Sequence, residues 1–135
     1  MNIDVVIIDE DGVILFLHKI LVRKSDLSGD IFEFKDASDA LNFLLGQWKS
    51  PQPILILLDI NMPGMSGWEF LERLQDEAPK SNIFVVVVTS SINSSDRQKA
   101  MQYPLVLDYL EKPLSKTDCS NLHCQLKIKL QNLSS

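Results

Sequence analysis

Basic residues are outnumbered in this 135-residue chain, where 13 lysines and arginines stand against 18 aspartates and glutamates, for a formal net charge of −5. A nucleic-acid interface needs a basic stripe, so we expect no nucleic-acid partner. No apolar stretch approaches the roughly 20 residues that cross a bilayer, and the amino terminus has acids where a signal peptide would carry positive charge. We therefore expect no membrane partner and a cytoplasmic location.

Cysteine is scarce as well. Cys119 and Cys124 are five residues apart in a predicted helix, where about 100° of rotation per residue turns them to different sides. A local disulfide or zinc site is not expected. Cys119 and His123 have i, i+4 spacing, but two ligands without further partners make a weak metal site. We expect Cys119 to pack in the core and His123 to face solvent.

Internal repeats and low-complexity segments are also absent, and 135 residues leave no room for a separate output domain. A hydrophobic content of 45% is ordinary for a globular protein. We expect residues 1–135 to form a single domain.

What the chain does contain is a short aliphatic run, residues 54–58, that ends at a lone carboxylate, Asp59, and is followed by a tight turn. A continuous apolar run of this length predicts a strand buried on both faces. In open α/β sheets, ligands bind above the carboxyl ends of the strands. A turn-capping role is the alternative for an isolated aspartate, but Asp59 is not isolated.

Three further predicted strands end in polar side chains. Residues 5–8 lead into Asp9-Glu10-Asp11, residues 84–88 lead into Thr89 and Ser90, and residues 106–111 lead into Lys112 and Pro113. If these strands are parallel neighbours, carboxylates, a hydroxyl and an amine converge on one rim of the sheet.

This set of motifs resembles the receiver domain of two-component response regulators over nearly the whole chain. The segment from Asp59 to Gly67 reads Asp-x-x-Met-Pro-x-x-x-Gly, and the other motifs follow in the order of the family. The resemblance implies that Asp59 is the phosphoacceptor and that Thr89 and Lys112 act on the phosphoryl group. It further implies that Mg²⁺ is held by Asp9, Glu10, Asp59 and the backbone carbonyl of Asn61, and that Thr89 and Tyr109 form the switch.

The function implied by the resemblance is signalling rather than metabolism. A histidine kinase or a histidine phosphotransfer protein would transfer a phosphoryl group to Asp59, and the chain would then signal by binding a downstream target protein. Enzymatic activity would be limited to self-phosphorylation and autodephosphorylation. A stand-alone signalling protein and a mid-relay phosphate carrier both remain open.

The fold expected is α/β, because strands alternate with segments of helical periodicity. Five strands and five helices fit a doubly wound, flavodoxin-like parallel sheet of order 2-1-3-4-5. We expect helices at residues 12–24, after a cap at Ser38, after a cap at Ser66, at residues 94–101 and after a cap at Ser115. In the first helix we expect Val13, Leu17, Ile20 and Leu21 to face the core, with His18 an ordinary helix residue. Residues 94–101 have few apolar side chains, which predicts weak anchoring.

The chemistry explains why these residue types belong together. Bringing a phosphoryl group to a carboxylate sets anion against anion, and a hard divalent cation with oxygen ligands relieves that repulsion. Lys112 can stabilise the phosphoryl oxygens by its charge, and Thr89 can donate a hydrogen bond to them. When Thr89 moves toward the phosphoryl group, Tyr109 is expected to rotate inward.

Glu10 stands where an aspartate is more usual, and Asp11-Gly12 follows it. Whether Glu10 or Asp11 contacts the metal is therefore open. The stretch from Asp9 to Val13 also resembles the first motif of haloacid-dehalogenase-type phosphatases, with Asp9 as nucleophile and Asp11 as general acid/base. No acidic pair follows Lys112 to complete that site. A flavodoxin-like cofactor carrier is disfavoured because three acids after the first strand would repel a cofactor phosphate.

Overall fold

A computed structural model of the chain describes residues 2–27, 29–48, 52–78, 82–90 and 92–134. Within these residues, five strands alternate with five α-helices, and a short π-helical turn, Phe43–Gln47, extends the second helix. The elements are β1 (Asp4–Ile8), α1 (Gly12–Arg23), β2 (Ile31–Phe34), α2 (Ala37–Asn42), β3 (Ile54–Asp59), α3 (Gly67–Glu77), β4 (Ile83–Thr89), α4 (Ser94–Met101), β5 (Val106–Glu111) and α5 (Lys116–Ser134).

The strands form one parallel sheet of order β2-β1-β3-β4-β5, which confirms the predicted doubly wound fold. Every residue of β1, β3 and β4 is buried. These are the continuous aliphatic runs of the sequence, as expected for central strands covered on both faces. The edge strands β2 and β5 carry partly exposed polar residues instead.

Alternate residues of the central strands point into two separate cores. Val6 and Ile8 pack with Leu41 of α2 and Leu71 of α3 on one face. Residues of the opposite parity pack with the helices of the other face, α1 and α5. From α4, only Ala100 is buried, so the weak anchoring predicted for this helix is confirmed.

Two predicted helix caps are present. The Ser66 hydroxyl accepts a hydrogen bond from the Glu69 backbone N–H at 3.2 Å and starts α3 beside the Asp59 loop. Ser115 and Asp118 cap α5 reciprocally, at 2.9 and 3.0 Å, which is the capping-box arrangement. The loops after β3 and β5 are therefore each tied into the helix that follows.

The buried face predicted for α1 is confirmed for Leu21, which packs against the core, and Ile20 is half-buried, but the prediction is wrong for Val13 and Leu17. Val13 and Leu17 are 66% and 40% exposed, whereas Leu15, His18 and Val22 are buried. The run from Val13 to Leu17 is apolar all round, so periodicity alone does not distinguish the face that packs on the sheet. The burial of His18 corrects its interpretation as an ordinary helix residue.

The start predicted for α2 is also wrong, because Asp36 and not Ser38 is the cap, accepting from the Asp39 N–H at 3.1 Å. Cys119 is buried as predicted and Cys124 is exposed, but His123 is partly buried and does not face solvent freely. The sequence further predicts that Pro51 and Pro79 stop two helices and that Leu133 faces the core. Both prolines and the side chain of Leu133 lie outside the described residues. No helix among the described residues is long and apolar enough to cross a membrane.

Candidate functional site

Two carboxylates lie side by side at the carboxyl ends of neighbouring strands. Asp9 directly follows β1 and Asp59 is the last residue of β3, and the two strands are paired in register with Ile8 opposite Leu58. Asp9 is 2% exposed and Asp59 is 4% exposed. Two acids are rarely buried together without a compensating charge, so a cation is expected close to both carboxylates.

That cation is Lys112, which follows β5 on the far side of β4. Its ammonium Nζ lies 3.0 Å from Oδ2 of Asp9 and 3.2 Å from Oδ2 of Asp59. Its backbone N–H donates to the carbonyl of Thr89 at 2.8 Å, which ties the start of this loop to the end of β4. The structure thus brings Asp9, Asp59 and Lys112 into one contiguous group.

The other oxygen of each carboxylate is held by its own loop. Asp9 Oδ1 accepts from the Asp11 N–H at 2.9 Å, and Asp59 Oδ1 accepts from the Asn61 N–H at 3.1 Å. A hydrogen bond from an aspartate side chain to the backbone N–H two residues later is the contact that defines an Asx-turn. Both carboxylates therefore have a defined orientation, with one oxygen toward the backbone and the other toward Lys112.

Burial and the charge of Asp9 shift the pKa of Asp59 in one direction, and Lys112 and the Asn61 N–H shift it in the other. Burial raises the pKa of Asp59, the negative charge of Asp9 raises it further, and Lys112 and the Asn61 N–H lower it, with a net rise. For Lys112, burial lowers the pKa, but the hydrogen bonds and charges of Asp9 and Asp59 outweigh burial and raise it. The raised pKa keeps Lys112 protonated. Ionising Asp59 costs free energy, because the site is buried and already contains the negative charge of Asp9.

Glu10 and Asp11 have different environments. Glu10 is exposed. The Asp11 carboxylate accepts from the Val13 N–H at 2.9 Å and is the N-cap of α1. The cap gives Asp11 a structural task, and this favours Glu10 as the residue available to a ligand at the rim.

The oxygens at this rim suit a hard cation. In the part of the chain that the structure describes, no three Asp, Glu, His or Cys side chains are grouped to hold a metal, and Lys112 bridges Asp9 and Asp59. Mg²⁺ does not require such a group, since it usually uses one or two carboxylates and retains several waters. Two buried carboxylates beside a solvent-exposed loop at Asn61 therefore fit this ion.

Thr89 and Tyr109, the predicted switch pair, lie on adjacent strands. Thr89 ends β4 and is 3% exposed. Tyr109 of β5 is paired with Val87, two residues before Thr89, and is 1% exposed within the core under α4. The structure therefore shows Tyr109 already inward, and the expectation that it starts outward and rotates in is not met here.

Contacts at the surface supplement the sparse apolar anchoring of α4. The Arg97 guanidinium donates to the backbone carbonyl of Tyr109 at 3.3 Å. The Lys99 ammonium lies 4.2 Å from the centre of the Trp68 ring of α3, and Trp68 stacks on Tyr103 with 6.4 Å between ring centres. These polar and aromatic contacts hold α4 against β5 and α3.

Sequence reasoning missed His18 entirely. Its Nε2 accepts a hydrogen bond from the Leu114 N–H at 3.1 Å, and the side chain is 1% exposed. The sequence of α1, which also contains Lys19 and Arg23, does not single out His18 as a residue of the buried face. A polar side chain on such a face needs a buried partner.

The fold and this site define a doubly wound α/β protein with two buried acids at its switch point, where ligands of open α/β sheets bind, and a lysine that follows the edge strand β5. Residues 5–122 match the response regulator receiver domain. The chain belongs to this family and is a receiver domain of a two-component system.

Proteins that are similar to this chain in sequence or in structure are also response regulators. The cyclic di-GMP phosphodiesterase response regulator RpfG of Xanthomonas campestris pv. campestris is 28% identical over 126 residues, which cover 90% of this chain and 32% of RpfG. The chain thus spans about a third of that relative. A crystal structure of a response regulator receiver protein from Dyadobacter fermentans has a TM-score of 0.82 at 28% identity, covering 95% of this chain and 98% of that one.

A third relative is response regulator Rcp1 of Synechocystis. The structure of its Mn(2+)-bound form has a TM-score of 0.68 at 27% identity and covers 88% of this chain and 87% of that one. The phosphatase alternative gains no support from the family match, and the Asp11 carboxylate that it would use as acid/base caps α1 instead.

Proposed function

We propose that residues 1–135 act as one cytoplasmic receiver domain that takes a phosphoryl group onto Asp59 from the phosphohistidine of a histidine kinase or a histidine phosphotransfer protein. The observation that carries the proposal is the contact of Lys112 with both Asp59 and Asp9. This contact sets a cation against both buried carboxylates of the switch point, Asp59 at the end of β3 and Asp9 just after β1. The signal then passes to a downstream target protein through a changed surface.

The transfer is a displacement at phosphorus. An Asp59 carboxylate oxygen forms the new P–O bond, the P–N bond to the donor imidazole breaks, and the imidazole leaves with that bond's electron pair. Lys112 offers its charge to the transferring phosphoryl oxygens, and the Asn61 N–H holds the other Asp59 oxygen in place. Positioning and electrostatics suffice for such a loose transition state.

We propose Asp9, Glu10, Asp59 and the backbone carbonyl of Asn61 as the holders of Mg²⁺. When bound, the ion would supply positive charge that lowers the repulsion of the acceptor carboxylate for the incoming phosphoryl group. The oxygen chemistry of these residues and the Mn(2+)-bound form of Rcp1 support a divalent cation here.

The test of the proposed function is to find which strand end becomes phosphorylated. With Mg²⁺ and acetyl phosphate, intact mass is expected to rise by one phosphoryl group, and peptide mapping after borohydride reduction is expected to locate it on Asp59. The control is the same reaction without Mg²⁺. A phosphoryl group on Asp9 would instead identify a phosphatase-type nucleophile and end the receiver proposal.

A pair of neutral substitutions distinguishes Glu10 from Asp11 as the metal ligand. Glu10→Gln is expected to weaken Mg²⁺ binding about tenfold, because it removes the negative charge of the exposed carboxylate that the proposal gives to the metal. Asp11→Asn is expected to leave Mg²⁺ affinity and stability nearly unchanged, because asparagine caps a helix as well as aspartate does. Calorimetric titration of Mg²⁺ into both variants decides the assignment, and the reverse order of affinities would give the metal to Asp11.

For the switch, we propose that Thr89 reports the phosphoryl group to β5 and α4. Thr89→Ala is expected to remain phosphorylatable at Asp59, because the carboxylate and Lys112 are retained. Amide shifts around Tyr109 and α4 on addition of beryllofluoride are expected to shrink several-fold compared with Thr89→Ser, the control that keeps the hydroxyl. A full response in Thr89→Ala would mean that the signal reaches Tyr109 by another route.

A further inference from the structure

His18 is a buried polar residue that the proposed chemistry does not use. It lies in the middle of α1, is 1% exposed, and accepts through Nε2 the hydrogen bond of the Leu114 N–H at 3.1 Å. The two residues are 96 positions apart in the chain. The bond therefore joins α1 to the loop between β5 and α5 and cannot be a local turn contact.

That loop is the one that carries Lys112. The Lys112 N–H donates to the Thr89 carbonyl at 2.8 Å, and Pro113 has no N–H to give. The Leu114 N–H is thus the next backbone donor after Lys112, and it goes to His18. Two hydrogen bonds donated by the backbone of this loop therefore fix it beside Lys112. One goes to the Thr89 carbonyl of β4 and the other to the His18 imidazole of α1.

The geometry points to His18 as a positioning residue that holds the Lys112 loop so that the ammonium group reaches both Asp9 and Asp59. This inference rests on the proposed function, because it assigns His18 a part in the same site. His18 does not contact the carboxylates itself in any bond that the structure gives. It acts through the Leu114 backbone.

The protonation state of His18 is consistent with this part. Burial lowers the pKa of His18, the charge of Asp9 opposes that shift, and the charge of Lys112 adds to it. A neutral imidazole has one acceptor nitrogen and one N–H. Nε2 is the acceptor for Leu114, which leaves the proton on Nδ1. The opposing influences of Asp9 and Lys112 also place His18 within the electrostatic reach of the site.

Three substitutions separate the hydrogen bond from general packing. His18→Gln can place an amide oxygen near the position of Nε2 and so keep an acceptor for Leu114. His18→Asn is also polar, but its shorter amide reaches only the position of Nδ1. His18→Leu fills similar space with no acceptor at all.

The primary readout is the loss of stability caused by Lys112→Met, measured by urea denaturation in the parent and in each His18 variant. This measurement needs no phosphorylation, so its failure is distinct from failure of the proposed function. We expect Lys112→Met to cost clearly less in His18→Leu and His18→Asn than in the parent, because the ammonium is no longer held against Asp9 and Asp59, and to cost as much in His18→Gln as in the parent. An equal cost in all four backgrounds, or an equal reduction in Gln and Asn, would overturn the assignment.

The second readout is the rate of Asp59 phosphorylation by acetyl phosphate. The rate is expected to fall about tenfold in His18→Asn, which is the size of effect typical for residues that orient the groups of a site without contacting the ligand. In His18→Gln it is expected to remain within about twofold of the parent. If His18→Leu does not fold, the Gln and Asn pair still decides the question. Equal rates in that pair would show that the acceptor at Nε2 has no positioning role.

Discussion

Asp59→Asn is expected to abolish phosphorylation, with no mass increase from acetyl phosphate and no transfer from a phosphorylated histidine donor. The amide is nearly the same size as the carboxylate and can keep the bond from the Asn61 N–H, so the fold is expected to survive. What is lost is the nucleophilic oxygen. The matched control is Asp76→Asn, an exposed acid of α3 remote from the strand ends, which is expected to react like the parent. Full phosphorylation of Asp59→Asn would show that another side chain is the acceptor.

The same variant is expected to be more stable than the parent in metal-free solution at neutral pH. The pKa of Asp59 is raised in the folded chain above the ordinary value of an aspartate, first by burial and then by Asp9. The folded state therefore binds the proton more tightly than the unfolded state, and the parent loses stability as pH rises from that value through the folded pKa. Asparagine does not titrate. Urea denaturation from pH 3 to pH 8 is expected to show similar stabilities at the acid end and a growing advantage for Asp59→Asn above it.

Removal of Lys112 is expected to be the most destabilising change at the site. Lys112→Met keeps the length of the side chain but leaves two buried carboxylates without their cation. Loss of one partner from a buried ion pair costs on the order of 3 kcal/mol, and the lysine side chain here is 14% exposed, so we expect a loss of about 2 to 3 kcal/mol in the free energy of unfolding at pH 7. Urea denaturation without metal measures it.

The control for Lys112→Met is the same change in an Asp59→Asn background, where only Asp9 remains to be compensated. The destabilisation is expected to shrink to about half, because residues that share a contact do not contribute additively. Mg²⁺ is expected to restore part of the loss in the Asp59 background. An equal cost of Lys112→Met in both backgrounds would mean that the Lys112–Asp59 contact contributes nothing to stability.

The parts of the fold that sequence predicts best are those in which one local signal is sufficient. Buried aliphatic runs gave β1, β3 and β4, and serine with an acid three residues later gave the starts of α3 and α5. The bounds predicted for α4, residues 94–101, also match the structure.

The failures have a common physical cause. The face that α1 buries depends on how the helix is rotated against the sheet, and an apolar stretch with no polar side does not encode that rotation. His18 is buried because a backbone N–H 96 residues away supplies its partner, and no local pattern contains that information. The inward position of Tyr109 depends in the same way on the space beneath α4. Contacts between distant segments decide each of these cases.

The light anchoring of α4 has a consequence for how the molecule opens. One buried alanine, an arginine bond to β5 and a lysine over an aromatic ring hold this helix, whereas β1, β3 and β4 are buried along their whole length. Amides of α4 should therefore exchange with deuterium through local opening, while those of the central strands exchange only when the whole domain unfolds. We therefore expect the helix next to Tyr109 to rearrange at a free-energy cost below that of unfolding, and hydrogen exchange to become faster from the strand ends that hold Asp9 and Asp59 outward to α4.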